Sequence, residues 1–333
     1  MTQLKAAVIG AGAMGANHCR IYSELADTEL VGACDLDKRL VTDAGKKHRC
    51  KSYTDHNKLL TETRPDIVSI AVPTQAHTEV ALSAIEAGAS VLVEKPIADT
   101  IENAQKIIDA ANDAGVKLMV GHIERFNPAV QELARLLAKK ELGRIFTIHA
   151  TRVGPFPHRI RDVGVVIDLA VHDIDIMRYI TGSEVKRVYA ETEKRIHTKC
   201  EDMLSGLLKF ENGVVGVLDV NWLTPEKIRE LTVTGEKGMF QVKYIPQELT
   251  FYENMDASKP DYNYQDILMG VSEGDIRHVR VAKKEPLKAE IESFVNSVAK
   301  NQKPEVTGLD GLMSLKIALA ISASATENQV IIL

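Results

Sequence analysis

Two short stretches carry side chains able to hold and pass on a proton. Residues 91–96 read Val91-Leu92-Val93-Glu94-Lys95-Pro96, an apolar, β-branched run too short for a helix and therefore a buried strand. The proline stops the strand and holds Lys95 extended. Taken alone, Lys95 is a solvated lysine at a strand end; in an open parallel α/β sheet, the same position faces whatever the sheet binds. The second stretch, Asp168-Leu169-Ala170-Val171-His172-Asp173-Ile174-Asp175, has the pattern of a helix in which Asp168 and His172 share one face and Asp175 lies near it. Histidines on helices are mostly structural. One bracketed by acids on the polar side suits a general base, with a carboxylate to hold the ring. A metal centre fits less well, because no second histidine or cysteine has ligand spacing.

The first third of the chain supplies the context for Lys95. Residues 6–9 form a short buried strand, followed at once by Gly10-Ala11-Gly12-Ala13-Met14-Gly15, a G-x-G-x-x-G run between a strand and a helix. Gly10 makes the tight turn, Gly12 admits a pyrophosphate to the backbone, and Gly15 lets the helix pack on its strand. The helix start at Ala13 and Met14 offers N–H groups to the phosphates. The next strand, 30–34, ends in Asp35, twenty positions after Gly15, where an acid takes the ribose hydroxyls of an adenosine. A helix N-cap is the other reading of that acid. A carboxylate there repels a 2′-phosphate and favours NAD over NADP, a preference that Lys38 and Arg39 soften.

Strand and helix signals then alternate: strand 66–72, helix 76–87 closed by Gly88, strand 90–94, a helix opened by Asp99-Thr100-Ile101-Glu102 that runs to 114, and strand 116–120. Such alternation predicts a doubly wound parallel sheet. The capping-box spacing makes Asp99 the expected cap of that last helix. Pro73, Thr74 and His77 lie on the ligand side of the sheet and are expected to line a nicotinamide pocket; a proline turn with a solvated histidine accounts for them equally well.

The pattern changes after Gly121, which places a domain boundary there: 1–121 as a Rossmann domain and 122–333 as an α+β domain on an open, mainly antiparallel sheet. The polar junction 122–128 puts Glu124, Arg125 and Asn127 near the mouth of the first domain, ahead of a helix over 129–140 and a strand over 145–153. A loop then gathers Arg152, Arg159 and Arg161 with Pro155, Pro157 and His158. Guanidinium groups in such a loop suit a phosphorylated or carboxylated ligand, or else a solvated or subunit-contact loop. Strands follow over 185–191, 203–210, 214–222, 228–234 and 239–244, with Glu211-Asn212-Gly213 as a hairpin turn. Residues 253–285 are a polar excursion without an assigned role, and helices over 287–298 and 309–326 are expected to pack back toward the first domain.

The 333 residues are 45% hydrophobic and 26% charged, with a net charge of -5, an ordinary globular composition that argues against nucleic-acid and anionic-membrane partners. Cys19, Cys34, Cys50 and Cys200 show no C-x-x-C or disulfide framework, as expected of reduced thiols in a cytoplasmic protein. No signal peptide and no bilayer-spanning apolar run is expected.

Gly10–Gly15, Asp35, Glu94-Lys95-Pro96, the Asp168-x-x-x-His172 helix and the tail 308–326 together resemble the Gfo/Idh/MocA oxidoreductases (glucose–fructose oxidoreductase, inositol dehydrogenase and relatives) over essentially the full length. The resemblance implies NAD as cofactor, with Glu94 and Lys95 among its contacts. It implies a homodimer or homotetramer built through the C-terminal sheet, and Lys95, Asp168 and His172 as the catalytic set. Within the family, the runs 121–128 and 165–175 look most like the enzymes that oxidise the C3 hydroxyl of UDP-N-acetylglucosamine. On that pattern His172 is the base, Asp168 orients it, and Lys95 hydrogen-bonds the developing alkoxide. Lys95 as the base is the alternative, since burial can depress a lysine pKa. An inositol or aldose dehydrogenase acting on a free sugar is the rival activity. A non-catalytic sugar- or NAD-binding regulator is a further rival, against which the presence of all three catalytic residues speaks.

Overall fold

The computed structural model describes residues 3–157, 163–196, 199–254 and 273–333. By contacts the chain divides into two compact units, Met1–Ile123 with Glu285–Lys316, and Glu124–Lys284 with Ile317–Leu333. The boundary expected after residue 121 falls two residues later, and the expected single block 122–333 is interrupted, because residues 285–316 belong to the first unit.

The first unit is built on six strands, β1 Leu4–Ile9, β2 Thr28–Cys34, β3 Lys51–Tyr53, β4 Ile67–Ile70, β5 Ser90–Glu94 and β6 Leu118–Gly121. Their order is β3-β2-β1-β4-β5-β6, and every neighbouring pair is parallel. From β1 the chain winds first to one side and then, at β4, to the other, so the crevice for a ligand opens past the carboxyl ends of β1 and β4. The connecting helices are α1 Ala13–Glu24, α2 Lys38–His48, α3 His56–Thr63, α4 His77–Glu86 and α5 Ile101–Ala114. The cap of α5 is Thr100, whose hydroxyl accepts from the Asn103 N–H at 3.1 Å, and not Asp99; Asp99 instead accepts from the Asn103 side chain. β3 and α2 escape a reading by apolar pattern because β3 is three residues long with two of them exposed and α2 buries only Val41 and Ala44; α3 is only eight residues long.

Among its described residues the second unit contains α6 Pro128–Ala138, α7 Val171–Thr181 and nine strands: β7 Ile145–Pro155, β8 Val185–Glu193, β9 Met203–Phe210, β10 Val215–Asn221, β11 Leu223–Gly235, β12 Gly238–Lys243, β13 Glu248–Asn254, β14 Glu273–Val279 and β15 Ile331–Ile332. The order is β14-β13-β12-β11-β7-β10-β9-β8-β15. Only β7 and β10 run parallel; the other pairs are antiparallel. Alternate residues such as Ile148, Ala150, Leu218, Leu231 and Phe240 join Leu133, Ile174 and Met177 of the helices in one buried core. The polar stretch expected over 253–285 contains β14, an edge strand held by backbone pairing to β13. Its sequence, Glu-Gly-Asp-Ile-Arg-His-Val, has no apolar face to announce it; residues 255–272 lie outside the described residues.

Two helices precede β15 near the C-terminus, α8 Pro286–Ala299 and α9 Gly308–Glu327. α8 buries Leu287, Ile291, Phe294 and Val295, and Glu285 before it forms an ion pair with Arg20 of α1. α9 starts against β6: a Cβ added at Gly308 or Gly311 would meet Leu118 or Val120 within 2.7 Å. By length and composition α9 could cross a bilayer, with hydropathy 1.3, contrary to the expectation that no run qualifies; 56% of that window is buried, which makes it a core helix.

Candidate active site

In the first unit the carboxyl ends of three strands enclose a cleft of about 580 Å³, lined by Gly10 and Gly12 after β1, Asp35 after β2, and Ala71 to Pro73 after β4. The glycines are there for space. Gly10 has φ +93 and lies so close to the next strand end that a Cβ would sit 2.4 Å from the Ala71 carbonyl oxygen. At Gly15 a Cβ would be 1.7 Å from the Gly10 oxygen, so α1 could not approach the turn. Gly12 differs: a Cβ there meets nothing within 4 Å, so its bareness leaves room for something other than the protein. It precedes α1 with no side-chain cap, leaving the N–H groups of Ala13, Met14 and Gly15 directed at that room, as a phosphate needs. Asp35 accepts from the Ala11 N–H at 2.7 Å and from the Asp37 N–H at 2.9 Å. It therefore holds the glycine turn and fixes its carboxylate on the cleft wall, and Asp37, not Asp35, caps α2. The residues present fit a dinucleotide.

Lys95 stands at the end of β5, half-buried, and its peptide bond to Pro96 is cis. Glu94 turns inward. Its carboxylate takes the His18 ring at 3.1 Å and the Lys95 N–H at 3.3 Å. It fits because its neighbour across the ladder is Gly121, where a Cβ would come within 3.1 Å of that carboxyl. Burial works to raise the Glu94 pKa, but His18 and the charges of Lys95 and His77 outweigh it and hold the group below the usual carboxylate range. A second buried acid, Glu290 of α8, is not legible as a site in the sequence. It is fully buried, and neither of its oxygens has a hydrogen-bond partner among the described residues. Burial first, then the Glu94 charge, pushes its pKa well above the ordinary value. Of the two acids, Glu94 carries the charge and Glu290 the proton.

His77 is not a pocket wall. It is 1% exposed, with Nδ1 2.9 Å from the Pro96 carbonyl and Nε2 2.9 Å from that of Val72. It ties the loop after β4 to the loop after β5, and burial lowers its pKa against the pull of those carbonyls. Pro73 lines the cleft, while Thr74 sits in the turn Thr74–Ala76 leading into α4.

In the second unit Asp168 lies in a π-helical turn, Val166–Ala170, that runs straight into α7, and His172 is in the first turn of α7. Such turns inside helices frequently mark functional sites. Glu201 sets this one up: its carboxylate accepts from the Val166 N–H at 3.2 Å, in space that a Cβ at Gly164 would fill. Asp168 and His172 are half-buried, whereas Asp173 and Asp175 are sealed. Asp175 takes Arg125 through two bonds of 2.7 and 2.6 Å. Asp173 takes Arg152 through bonds of 2.6 and 2.9 Å, and Glu124 adds a third at 3.1 Å. Burial opposes the Arg152 charge, but Asp173 and Glu124 raise its pKa above the ordinary value.

These pairs revise the expected ligand set. Arg125 and Arg152 are 5% and 4% exposed and committed to carboxylates, so neither is a cation in reserve. Glu124 serves Arg152. Asn127 is the N-cap of α6 and donates to the Tyr244 carbonyl at 3.1 Å. Arg159 and Arg161 lie outside the described residues.

Comparison with known proteins agrees with both halves. Residues 4–122 match the oxidoreductase family with an NAD-binding Rossmann fold, and residues 130–241 match the GFO/IDH/MocA C-terminal domain. A UDP-N-acetylglucosamine 3-dehydrogenase from Acidithiobacillus ferrooxidans is 29% identical over 96% of this chain and 97% of its own. A solved structure of that enzyme superposes with a TM-score of 0.87 at 28% identity, covering 98% of this chain and 99% of its own. A myo-inositol 2-dehydrogenase from Thermotoga maritima is 24% identical over 98% of this chain and 97% of its own.

Two outcomes follow. Gly15→Ala is expected to lower stability by about 2 kcal/mol or more through overpacking. Gly12→Ala stays within about 1 kcal/mol of the parent yet weakens NAD at least about tenfold by filling the ligand's space; urea unfolding and NAD titration separate the two. Glu290→Gln removes a group whose raised pKa makes its contribution to stability full below its unfolded value of about 4.3 and lost as pH rises toward the folded value. The thermal midpoint of the variant should accordingly gain on the parent from pH 4 to pH 8, about zero at the acid end.

Proposed function

The chain belongs to the Gfo/Idh/MocA oxidoreductase family, and on that premise we propose that it oxidises the C3 hydroxyl of UDP-N-acetylglucosamine to a ketone. That it is an NAD-dependent oxidoreductase acting on a CH–OH group comes with the family. The choice of sugar rests on one observation: the end-to-end likeness, in sequence and in structure, to a UDP-N-acetylglucosamine 3-dehydrogenase. An inositol dehydrogenase is the second reading, favoured by the full-length likeness to the Thermotoga maritima enzyme.

Bound NAD supplies the acceptor for the hydride that leaves the carbinol carbon. The rest of the chemistry belongs to the protein. The hydroxyl is a very weak acid, so its proton must be taken as the carbon–hydrogen bond breaks. His172 takes that proton, and Asp168, one π-turn earlier, steadies the imidazolium. Lys95 donates to the oxygen while negative charge builds on it, an electrostatic contribution. Asp35, fixed on the cleft wall by two backbone N–H groups, receives the ribose hydroxyls and disfavours a 2′-phosphate. The enzyme works as a cytoplasmic homo-oligomer. Cys19, Cys34 and Cys50, which form no disulfide among the described residues, support the compartment, and exposed Leu207 and Ile276 on the large sheet support a subunit contact there.

NADH formation with UDP-N-acetylglucosamine, myo-inositol and glucose tests the substrate. Turnover of the nucleotide sugar alone is expected; preference for myo-inositol would replace the reading. His172→Ala should lower kcat by about 10²–10⁴-fold with NAD still bound, and near-normal turnover would move the base role to Lys95.

A further inference from the structure

Among the described residues of the second unit, the buried arginines Arg125, Arg152 and Arg178 each meet a carboxylate. Arg125 is matched by Asp175, and Arg152 by Asp173 and Glu124. Arg229 of β11 is left with two backbone carbonyls, those of Val153 at 2.6 Å and Ile228 at 2.8 Å, both reached by the same nitrogen, Nη1. Among the described residues it has no carboxylate in ion-pair range, and the other arm of its fork carries no bond. It is half-buried, and burial followed by the Arg152 charge pulls its pKa down to about 10.

Its place in the sheet makes this costly. Arg229 stands directly opposite Arg152 in the β11–β7 ladder, and opposed residues project to the same face. Two guanidinium groups thus share the side of the sheet that carries α7, whose Asp173 holds the first of them. The acids whose charge reaches Arg229 are Asp173, Glu124 and Asp168, and the first two are already committed. Beside it the ladder opens, with pairing broken between Leu223 and Ile228. Irregularities of this kind re-aim side chains next to sites.

We propose that Arg229 binds the diphosphate of the nucleotide-sugar substrate, its free N–H groups gripping a phosphate oxygen pair. The inference rests on the UDP-N-acetylglucosamine reading and makes Arg229 the specificity residue of that site. A planar fork with unspent donors suits a phosphate better than a neutral sugar hydroxyl, and an incoming anion offsets the repulsion from Arg152. This assignment differs from the sequence expectation, which gave the task to Arg152, Arg159 and Arg161.

Steady-state kinetics of the parent, Arg229→Gln and Arg229→Lys, with UDP and uridine as competing ligands, test it. Arg229→Gln should raise KM for UDP-N-acetylglucosamine and Ki for UDP by about 10- to 100-fold. KM for NAD, kcat and the weak inhibition by uridine should change by less than about threefold. Arg229→Lys, which keeps the charge but not the fork, should fall between, and it serves as the test if the glutamine variant does not fold. KM and UDP inhibition within twofold of the parent, or a loss spread equally over kcat and NAD, would overturn the assignment. A parent enzyme that oxidises UDP-N-acetylglucosamine while Arg229→Gln is indifferent sinks the Arg229 assignment alone. A parent that neither oxidises it nor binds UDP sinks the substrate reading with it.

Discussion

A charge buried away from water must be met by another, and both units of this protein are arranged around that constraint. In the second unit, Arg125–Asp175 and Arg152–Asp173 are closed, bidentate pairs. Removing one member of such a pair strands the other and costs about 3–5 kcal/mol. Both acids belong to α7, so the pairs hold that helix to the turn before α6 and to β7. The half-buried Asp168 and His172 inherit their position from this anchoring. The polar residues that look most like a ligand set are thus largely the fittings that fix it.

The first unit meets the same constraint with a proton. Glu94 keeps its charge because His18 and neighbouring cations compensate for burial, whereas Glu290, without a hydrogen-bond partner among the described residues, keeps its hydrogen. Two acids in one interior have been driven apart in pKa, and the ionised one adjoins Lys95. The strand end that carries the lysine is tied in twice more, through Gly121 opposite Glu94 and through His77 on the Pro96 carbonyl. Lys95 thereby stands on a rigid base, as a functional side chain requires.

The two halves of the chemistry are built by different means. Nucleotide recognition uses backbone: glycines that allow close approach, and N–H groups at a helix start. Asp168 and His172, by contrast, are set by a π-helical turn that runs into α7. The turn Val166–Ala170 is π-helical where the sequence pattern predicts a plain helix.

The dinucleotide half was plain in the linear chain because its rules are local. A strand, a glycine turn, a helix and an acid at the end of the next strand lie within 35 residues, and the period of apolar residues reports burial directly. The alternation that follows yields the parallel sheet for the same reason. The fate of the polar residues was not plain. Arg125 and Asp175 are 50 positions apart, Asn127 and Tyr244 are 117 apart, and His18 and Glu94 are 76 apart. No spacing encodes those meetings, so an arginine already spent on an aspartate reads the same as one kept for a ligand. Arg229 passes unnoticed in the sequence as one more charge on a strand. Folding sets it apart, because packing assigns carboxylates to its neighbours and, among the described residues, leaves it with backbone carbonyls.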